Sequence, residues 1–166
     1  MGIRRAREED IPRLYTILKA VVHHMHQVGF DQWNDDYPTC DILERDVTNG
    51  TCYLYTEDET IVGFITLDDE QPQAYDNVDF RFGLPCLCVH RLAIDPAYQR
   101  RGIARTIMHF AESHAKDIGC TAIRLDTRED NQGSLKLYKT LDYVHRGHIH
   151  YPGVVYKFPC MEKKLL

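Results

Sequence analysis

The chain lacks the features that would place it in a membrane or outside the cell. None of its apolar runs approaches the roughly 18–20 residues that a membrane-spanning helix needs. Its first ten residues, MGIRRAREED, contain no apolar segment of the kind found in secretory signals. Since there are six cysteines and no such signal, we expect reduced, buried thiols in a cytoplasmic protein with no membrane partner.

An excess of positive charge is also missing. The chain carries 25 Asp and Glu residues against 20 Lys and Arg, which gives a formal net charge of -5. Proteins bind nucleic acid largely by neutralising phosphates with Lys and Arg, so this balance argues against nucleic acid as a partner. It is compatible with a cationic ligand such as an amine.

The sequence contains no strong metal-binding pattern. Cys86 and Cys88 are not accompanied by a second cysteine pair, which a zinc ribbon requires. The histidine cluster His23, His24 and His26 has two members at helical spacing, but no acidic residue accompanies them at HExxH spacing. We therefore predict no metal, and the cluster is left without an assigned role.

The remaining pattern fits one globular domain over residues 1–166, because this length suits a single sizeable core. Asp10 is expected to cap the first helix. Hydrophobic spacing predicts helices over residues 10–29, 40–50, 102–118 and 131–140, and strands over 3–7, 51–57, 61–67, 84–94, 120–127, 143–150 and 154–161. Strands mixed with helices throughout predict an α/β fold on a mixed sheet.

The segment 95-DPAYQRRGIARTI-107 places strand, turn, glycine and helix in an order that offers backbone N–H groups to an anion. Arg100, Arg101 and Arg105 surround Gly102, although positive side chains normally oppose the dipole at a helix N-terminus. Gly102 would let a phosphate approach the backbone closely. Neither GxxxxGK[ST] nor GxGxxG is present. From the residues alone, a phosphate loop and a solvated basic helix start both stay open.

The loop also matches a family motif. Gln99-Arg100-Arg101-Gly102-Ile103-Ala104 fits Q/R-x-x-G-x-G/A, the acetyl-CoA pyrophosphate motif of the GNAT N-acetyltransferase superfamily. Asn131, Ser134 and Tyr138 resemble the N-x-x-A/S-x-x-x-Y segment that follows the next strand in that family. Two motifs in register with this order of elements are specific, and the resemblance is strong over residues 84–145.

One departure from the family pattern follows the second motif. GNAT sequences usually read Leu-Gly-Phe there, whereas this chain reads Leu141-Asp142-Tyr143. Asp accepts a left-handed backbone better than most residues other than glycine, so we expect the helix to end normally at Asp142.

The resemblance implies a single-domain GNAT fold. Such a fold has a mixed sheet of about six or seven strands, two parallel strands splayed at the acetyl-CoA cleft, and about four helices. It implies an acetyl-CoA-dependent N-acetyltransferase that acts directly on a primary amine of a small molecule or peptide. Carried over by position, the cofactor-binding residues are Leu92, Ala93, Ile94, Arg100, Arg101, Gly102, Ile103, Ala104, Arg105, Asn131 and Tyr138. Residues 92–94 would hold the pantetheine arm, 100–105 the pyrophosphate, and Asn131 the cofactor arm.

The resemblance also implies catalytic roles. Tyr138 would protonate the departing thiolate; the alternative is a core aromatic. His90 or Asp126 would help to remove the amine proton. Arylalkylamine acetyltransferases resemble this chain at His90, and an imidazole titrates near neutrality. Ribosomal-protein-type N-acetyltransferases place a glutamate at the position of Asp126. The alternatives are a packed strand histidine and a turn-capping carboxylate.

Acceptor residues are less sharply indicated. Trp33 lies in the region that forms one wall of the acceptor pocket in GNATs, and Tyr151 on the C-terminal hairpin is assigned to the opposite wall; for both, ordinary packing is the alternative. The acceptor, the acyl-chain preference, and the choice between monomer and homodimer stay open. The alternative to an enzyme is a non-catalytic acyl-CoA-binding regulatory or sensor domain.

Overall fold

Helices and strands follow one another along the chain in the predicted order. The computed structural model describes residues 2–166. The elements are β1 Gly2–Arg5, α1 Ile11–Gln27, α2 Cys40–Thr48, β2 Cys52–Glu57, β3 Thr60–Asp68, β4 Cys86–Ile94, α3 Ile103–Asp117, β5 Ala122–Asp126, α4 Gln132–Thr140, β6 Val144–Ile149 and β7 Phe158–Lys164. Short 3-10 turns occupy Glu8–Asp10, Gln73–Asn77 and Pro96–Tyr98.

The described residues divide into two compact units. The first unit contains residues up to Leu67 together with Arg91–Met108, and the second contains Asp68–His90 together with His109–Leu166. The boundaries therefore fall at the last residue of β3, within β4 and within α3.

In the first unit, β1 pairs antiparallel with β2, and β2 pairs antiparallel with β3. Helix α1 buries residues at i, i+3, i+4 and i+7 spacing, which places them on one face. That face packs in a core cluster whose buried members are Ala6, Leu14, Ile17, Leu18, Val21, Trp33, Leu43, Val47, Cys52, Leu54, Phe64 and Ala93. The Asp95 N–H donates to the Val62 carbonyl over 2.8 Å, which links the residue after β4 to β3.

In the second unit, the first half of β4 pairs parallel with β5, from Cys86–Ala122 to Val89–Leu125. Strand β5 pairs antiparallel with β7, and β7 pairs antiparallel with β6. Parallel and antiparallel pairs thus occur in the same sheet. The predicted α/β class is confirmed, as are the predicted numbers of strands and helices.

The C-terminal hairpin differs from its predicted extent. The sequence predicts strands over 143–150 and 154–161, but β6 ends at Ile149 and β7 begins at Phe158. The intervening residues hydrogen-bond elsewhere: the Val154 N–H donates to the Tyr151 carbonyl over 3.1 Å, and the Lys157 N–H donates to the Glu129 carboxylate over 3.0 Å. These bonds replace cross-strand pairing, so the connection is a longer loop.

Asp10 occupies the N-cap position of α1, as predicted, but its side chain makes no capping hydrogen bond to that helix. Its carboxylate accepts two 2.7 Å hydrogen bonds from Arg4 and a 2.8 Å hydrogen bond from the Arg7 N–H. The hydrogen bonds from the Arg4 guanidinium lower the pKa of Asp10. A charged partner on β1 thus holds the side chain that a helix N-cap would use.

Candidate functional site

The predicted site residues divide between the two units. The first unit holds Trp33, the end of β4 and the loop residues up to Arg105, and the second holds His90, Asp126, Asn131, Tyr138 and Tyr151.

The loop between β4 and α3 has an unusual backbone. Arg100 and Gly102 both have positive φ, at 63° and 82°, which is uncommon for a residue other than glycine. The Asp95 carboxylate accepts from the Ala97 N–H over 3.1 Å, and the Gln99 side chain donates to the Ile94 carbonyl over 3.1 Å. A turn and a side-chain bond therefore fix the path of the chain into the helix.

The surroundings of Gly102 fit an anion. No atom lies within 4 Å of the position where a Cβ would stand on Gly102, so the backbone is open there. The helix that begins at Ile103 has 15 residues, and the free N–H groups at such a helix start favour negative charge. Ile103 itself is buried, which anchors the first turn.

The three arginines of this loop are exposed. The Arg101 guanidinium lies 3.0 Å from the Glu57 carboxylate and 5.2 Å from the centre of the Tyr98 ring. Arg101 is thus oriented by groups of the protein, but its side chain is 53% exposed, so solvent weakens this ion pair. The loop thus presents exposed positive charge beside an open backbone, and its predicted role in cofactor binding stays a prediction.

His90 and Asp126 are the residues that follow the last paired positions of the two parallel strands. The pairing ends at Val89 and Leu125. The His90 Nε2 atom lies 2.7 Å from the Asp68 Oδ1 atom. His90 also acts electrostatically on Asp126, where it lowers the pKa of the carboxyl group. The two candidate bases therefore belong to one group of charges.

The Asp126 carboxylate is held by two phenols. The Tyr75 hydroxyl donates to Oδ1 over 2.6 Å, and the Tyr151 hydroxyl lies 3.2 Å and 3.3 Å from the two carboxylate oxygens. Burial raises the pKa of Asp126, and the two hydroxyls and His90 oppose this rise without cancelling it. Asp126 is thus a desolvated carboxylate whose negative charge is costly.

Tyr138 lies on α4 and is only 6% exposed. Burial, and then the negative charge of Asp126, raise the pKa of Tyr138, while a hydrogen bond with Ser134 lowers it slightly. The phenol therefore keeps its proton at neutral pH, and its predicted role as a proton donor stays a prediction. Asn131 caps the helix that carries Tyr138, because its side-chain oxygen accepts from the Ser134 N–H over 3.1 Å. Its predicted contact with the cofactor arm stays a prediction.

The end of α4 has the predicted conformation. Asp142 has a φ of 65°, which confirms that aspartate occupies the left-handed position where the family usually has glycine. The Tyr143 N–H then donates to the Tyr138 carbonyl over 3.1 Å, and the two rings lie 5.8 Å apart.

The two predicted acceptor residues have different surroundings. Tyr151 contacts Asp126, as described above, and its ring meets Phe158 edge-on at 4.8 Å. Trp33 packs in the core cluster of the first unit and is 7% exposed. The structure thus brings Tyr151 to a candidate base, whereas a substrate-facing role for Trp33 stays a prediction.

Three side chains that bind His90, Asp126 and Arg91 were not predicted from the sequence. Asp68 binds His90 from 22 residues away, and Tyr75 binds Asp126 from 51 residues away. In the first unit, Asp46 binds the Arg91 guanidinium from 45 residues away. No spacing or motif marks residues this far apart as neighbours.

Among residues 2–166, no three His, Cys, Asp or Glu side chains gather as metal ligands would. His148 and His150 approach each other, with ring centres 5.6 Å apart. The prediction of buried thiols is confirmed for five cysteines, while Cys40 is half-buried, and all six thiols are free. Over the same residues, no helix has both the length and the apolar character needed to cross a membrane.

Comparison with known proteins agrees with this geometry. Residues 4–143 match the family described as "Acetyltransferase (GNAT) family". A GNAT-family acetyltransferase from Streptococcus agalactiae has the same fold, with a TM-score of 0.85 and 22% identity over 98% of this chain and 94% of that one. A Salmonella typhimurium protein solved with its cofactor acetyl-CoA gives a TM-score of 0.74 and 17% identity, covering 100% and 94% of the two chains.

Two further relatives extend the comparison of fold and of length. The ribosomal-protein-S18-alanine N-acetyltransferase from Escherichia coli gives a TM-score of 0.72 and 16% identity over 99% and 93% of the two chains. A curated Mycobacterium leprae protein, described as uncharacterized, is 28% identical over 138 residues. The match covers 80% of this chain but only 34% of that relative, so this chain spans about a third of its length. Since the family match extends over most of the sequence, the chain belongs to the acetyltransferase (GNAT) family.

Proposed function

We propose that this chain is an N-acetyltransferase that takes the acetyl group of acetyl-CoA and transfers it directly to a primary amine of a small molecule or peptide. Family membership supports acetyl transfer. The names of two structural relatives support the finer statement, since one was solved with acetyl-CoA and the other acetylates the alanine of a ribosomal protein.

The loop of the first unit would hold the donor. The exposed Arg100, Arg101 and Arg105 carry positive charge beside the open backbone at Gly102, which suits the pyrophosphate. The backbone of residues 92–94 would bind the pantetheine arm. The Ile94 carbonyl already accepts a hydrogen bond from the Gln99 side chain. We therefore assign the contact with the pantetheine arm to the other backbone N–H and carbonyl groups of residues 92–94. When bound, acetyl-CoA supplies an acetyl group activated as a thioester.

His90 would accept the first proton. A primary amine is protonated at neutral pH and has no free electron pair until it loses that proton. An imidazole titrates in the right range to take the proton and pass it to water. Asp126 is the alternative base, because burial raises the pKa of its carboxyl group and thereby makes its ionised form a stronger base.

The overall step releases one proton. The amine nitrogen forms a bond with the acetyl carbon, while the carbon–sulfur bond breaks and its electron pair stays on sulfur. The ammonium loses one proton before attack and a second when the amide forms, and Tyr138 gives one proton to sulfur and regains one. Two protons leave nitrogen and one ends on sulfur.

The observation that carries this proposal is the state of Tyr138. Its hydroxyl is buried, and burial together with Asp126 raises its pKa. A sensor domain needs no buried phenol on which a carboxylate acts, whereas a leaving thiolate needs a proton donor.

A Tyr138→Phe variant tests the assignment. We expect kcat to fall about 10²- to 10⁴-fold, the usual contribution of general acid catalysis, while the dissociation constant for acetyl-CoA is unchanged. CoA release is measured with a thiol reagent over a panel of amines that includes a polyamine, an amino acid amide and peptides with free N-termini.

Tyr143→Phe is the matched control, since it removes the hydroxyl group of another buried tyrosine, whose ring centre lies 5.8 Å from that of Tyr138. Wild-type turnover in Tyr138→Phe would remove Tyr138 from the acid role. Binding of acetyl-CoA by the wild type without CoA release from any amine would overturn the enzymatic proposal and favour the sensor.

A further inference from the structure

The Asp68–His90 contact joins two residues to which the family motifs assign no shared role. Asp68 is the last residue of β3 and His90 lies on β4, and both belong to the second unit. Their side chains are 15% and 20% exposed, with 2.7 Å between Oδ1 and Nε2. The contact is thus short and largely shielded from water.

The position of the Asp68 carboxylate is set by its own backbone turn. The same Oδ1 atom accepts from the Glu70 N–H over 2.9 Å, which forms the short side-chain turn that aspartate favours. The carboxylate would therefore stay in place whether or not His90 were present, and the imidazole is the group that adapts.

The chemistry of the pair fixes the tautomer of the ring. An ionised carboxylate only accepts hydrogen bonds, so a neutral imidazole must donate its Nε2 proton to Asp68. Nδ1 then carries the lone pair. If the ring takes up a proton at Nδ1, the resulting positive charge lies beside a negative one and is stabilised.

The charges around His90 come from both flanking elements. Asp68 faces it from the end of β3, and Asp126 acts on it from β5. Tyr75, from the 3-10 turn, and Tyr151, from the hairpin loop, direct their hydroxyls to Asp126. Asp126 thus already accepts two hydrogen bonds, whereas the Asp68–His90 pair leaves one imidazole nitrogen for proton transfer.

We propose that Asp68 is a positioning residue that holds His90 as the Nε2–H tautomer, with Nδ1 as the atom that receives the proton of the amine. This rests on the proposed acetyltransferase function. The proton passes from the ammonium, directly or through one water, to Nδ1 and then to solvent, and no other reactant is needed.

Two variants separate the charge of Asp68 from its geometry. Asp68→Asn keeps an oxygen that can accept from Nε2–H but removes the negative charge, and Asp68→Ala removes both. Asp69→Asn is the matched control, because Asp69 is the next residue and is exposed. The measurements are kcat/KM against pH and the affinity for acetyl-CoA.

We expect the ascending limb of kcat/KM to move to lower pH in Asp68→Asn, because the protonated ring loses a favourable neighbour. The plateau value of kcat/KM should fall as well, because His90 is a weaker base without the charge of Asp68 beside it. Asp68→Ala loses at least about tenfold in kcat, while acetyl-CoA affinity and the Asp69→Asn control stay at the wild-type level. Purely structural damage would lower affinity or stability without moving the limb, and a superimposable pH profile in Asp68→Asn overturns the proposal.

A measurement that needs no turnover keeps this test apart from the test of function. Nitrogen-15 NMR of the nine histidines, with His90→Gln to assign the signal, reports which ring nitrogen carries the proton. An Nε2–H signal for His90 in the wild type that becomes a tautomer mixture in Asp68→Ala supports the inference even if no acceptor amine is found. An Nδ1–H signal in the wild type contradicts it.

Discussion

Two aspartates, one in each unit, show two ways of treating a carboxylate that is removed from water. Asp46 in the first unit is 3% exposed and receives a two-pronged contact from Arg91, at 2.7 Å and 2.9 Å, and a 2.8 Å hydrogen bond from Thr66. Asp126 in the second unit is held by two neutral phenols. The first charge is matched by a full opposite charge in direct contact, whereas the second is held by the dipoles of two hydroxyls, with His90 acting on it electrostatically.

This difference in partners distinguishes a carboxylate with a structural role from one that could take part in a reaction. A buried carboxylate bound by a guanidinium has nothing left to offer a ligand, and its loss leaves the partner uncompensated. A carboxylate whose pKa is raised by burial is poised to exchange protons, and such groups concentrate at functional sites. We therefore expect Asp46 to be part of the structural framework, and we propose that Asp126 takes part in the reaction.

The largest effect should come from Asp46→Asn. This change keeps the size of the side chain but leaves the buried Arg91 charge unpaired, so we expect the free energy of unfolding to fall by about 3–5 kcal/mol. Urea unfolding measures it. Asp41→Asn on the same helix is exposed and should cost no more than about 1 kcal/mol. A loss of that small size in Asp46→Asn would mean that the pair is not a structural requirement.

The Asp126→Asn variant should lower activity without lowering stability at neutral pH. Because the pKa of Asp126 is raised in the folded state, the folded protein binds more protons than the unfolded chain above the usual carboxyl range, and stability is lost as pH rises through the folded pKa. The asparagine variant should lack this loss. Its stability relative to the wild type should therefore increase from acidic to neutral pH in a series of thermal unfolding curves.

In the same variant we expect turnover to fall about tenfold or more, because the group that helps to hold the proton relay has lost its charge. A variant that is less stable than the wild type at neutral pH would place Asp126 with Asp46 as a structural residue.

The smallest effect should come from the pair of Glu57 and Arg101, whose side chains are 16% and 53% exposed. Salt bridges open to solvent contribute about 0–1 kcal/mol to stability, so Glu57→Gln should change the free energy of unfolding little. Removing a negative charge beside the loop should tighten acetyl-CoA binding by no more than about fivefold, which corresponds to 1 kcal/mol. Titration calorimetry at low and high salt measures it, with the exposed Glu59→Gln as the control. Weaker binding would show that Glu57 orients Arg101 for the ligand.

Much of the fold follows from local sequence rules. The spacing of apolar residues on α1 and the glycines after helices place most elements within a few residues. Where the prediction failed, a partner distant in sequence took over. Arg4 holds the Asp10 carboxylate in place of a cap, and Glu129 binds Lys157 where a longer hairpin was expected.

The site divides in the same way. Its loop is predictable because Gly102 and the arginines are adjacent in sequence, and Tyr138 because its motif is short. The partners of His90 and Asp126 lie 22 and 51 residues away. They approach only because β3, β4, β5 and the turn at 73–77 meet in the folded chain, and a single sequence does not encode that meeting in any local pattern.

Strand β6 stands at the end of the strand order in the second unit. Its pairing with β7 shifts register between His145 and Gly147, and Gly147 has a φ of 149°. An irregular edge of this kind presents a broken row of donors and acceptors, which a strand from another molecule pairs with poorly. We therefore expect the bulge to oppose edge-to-edge aggregation as the concentration of the protein rises.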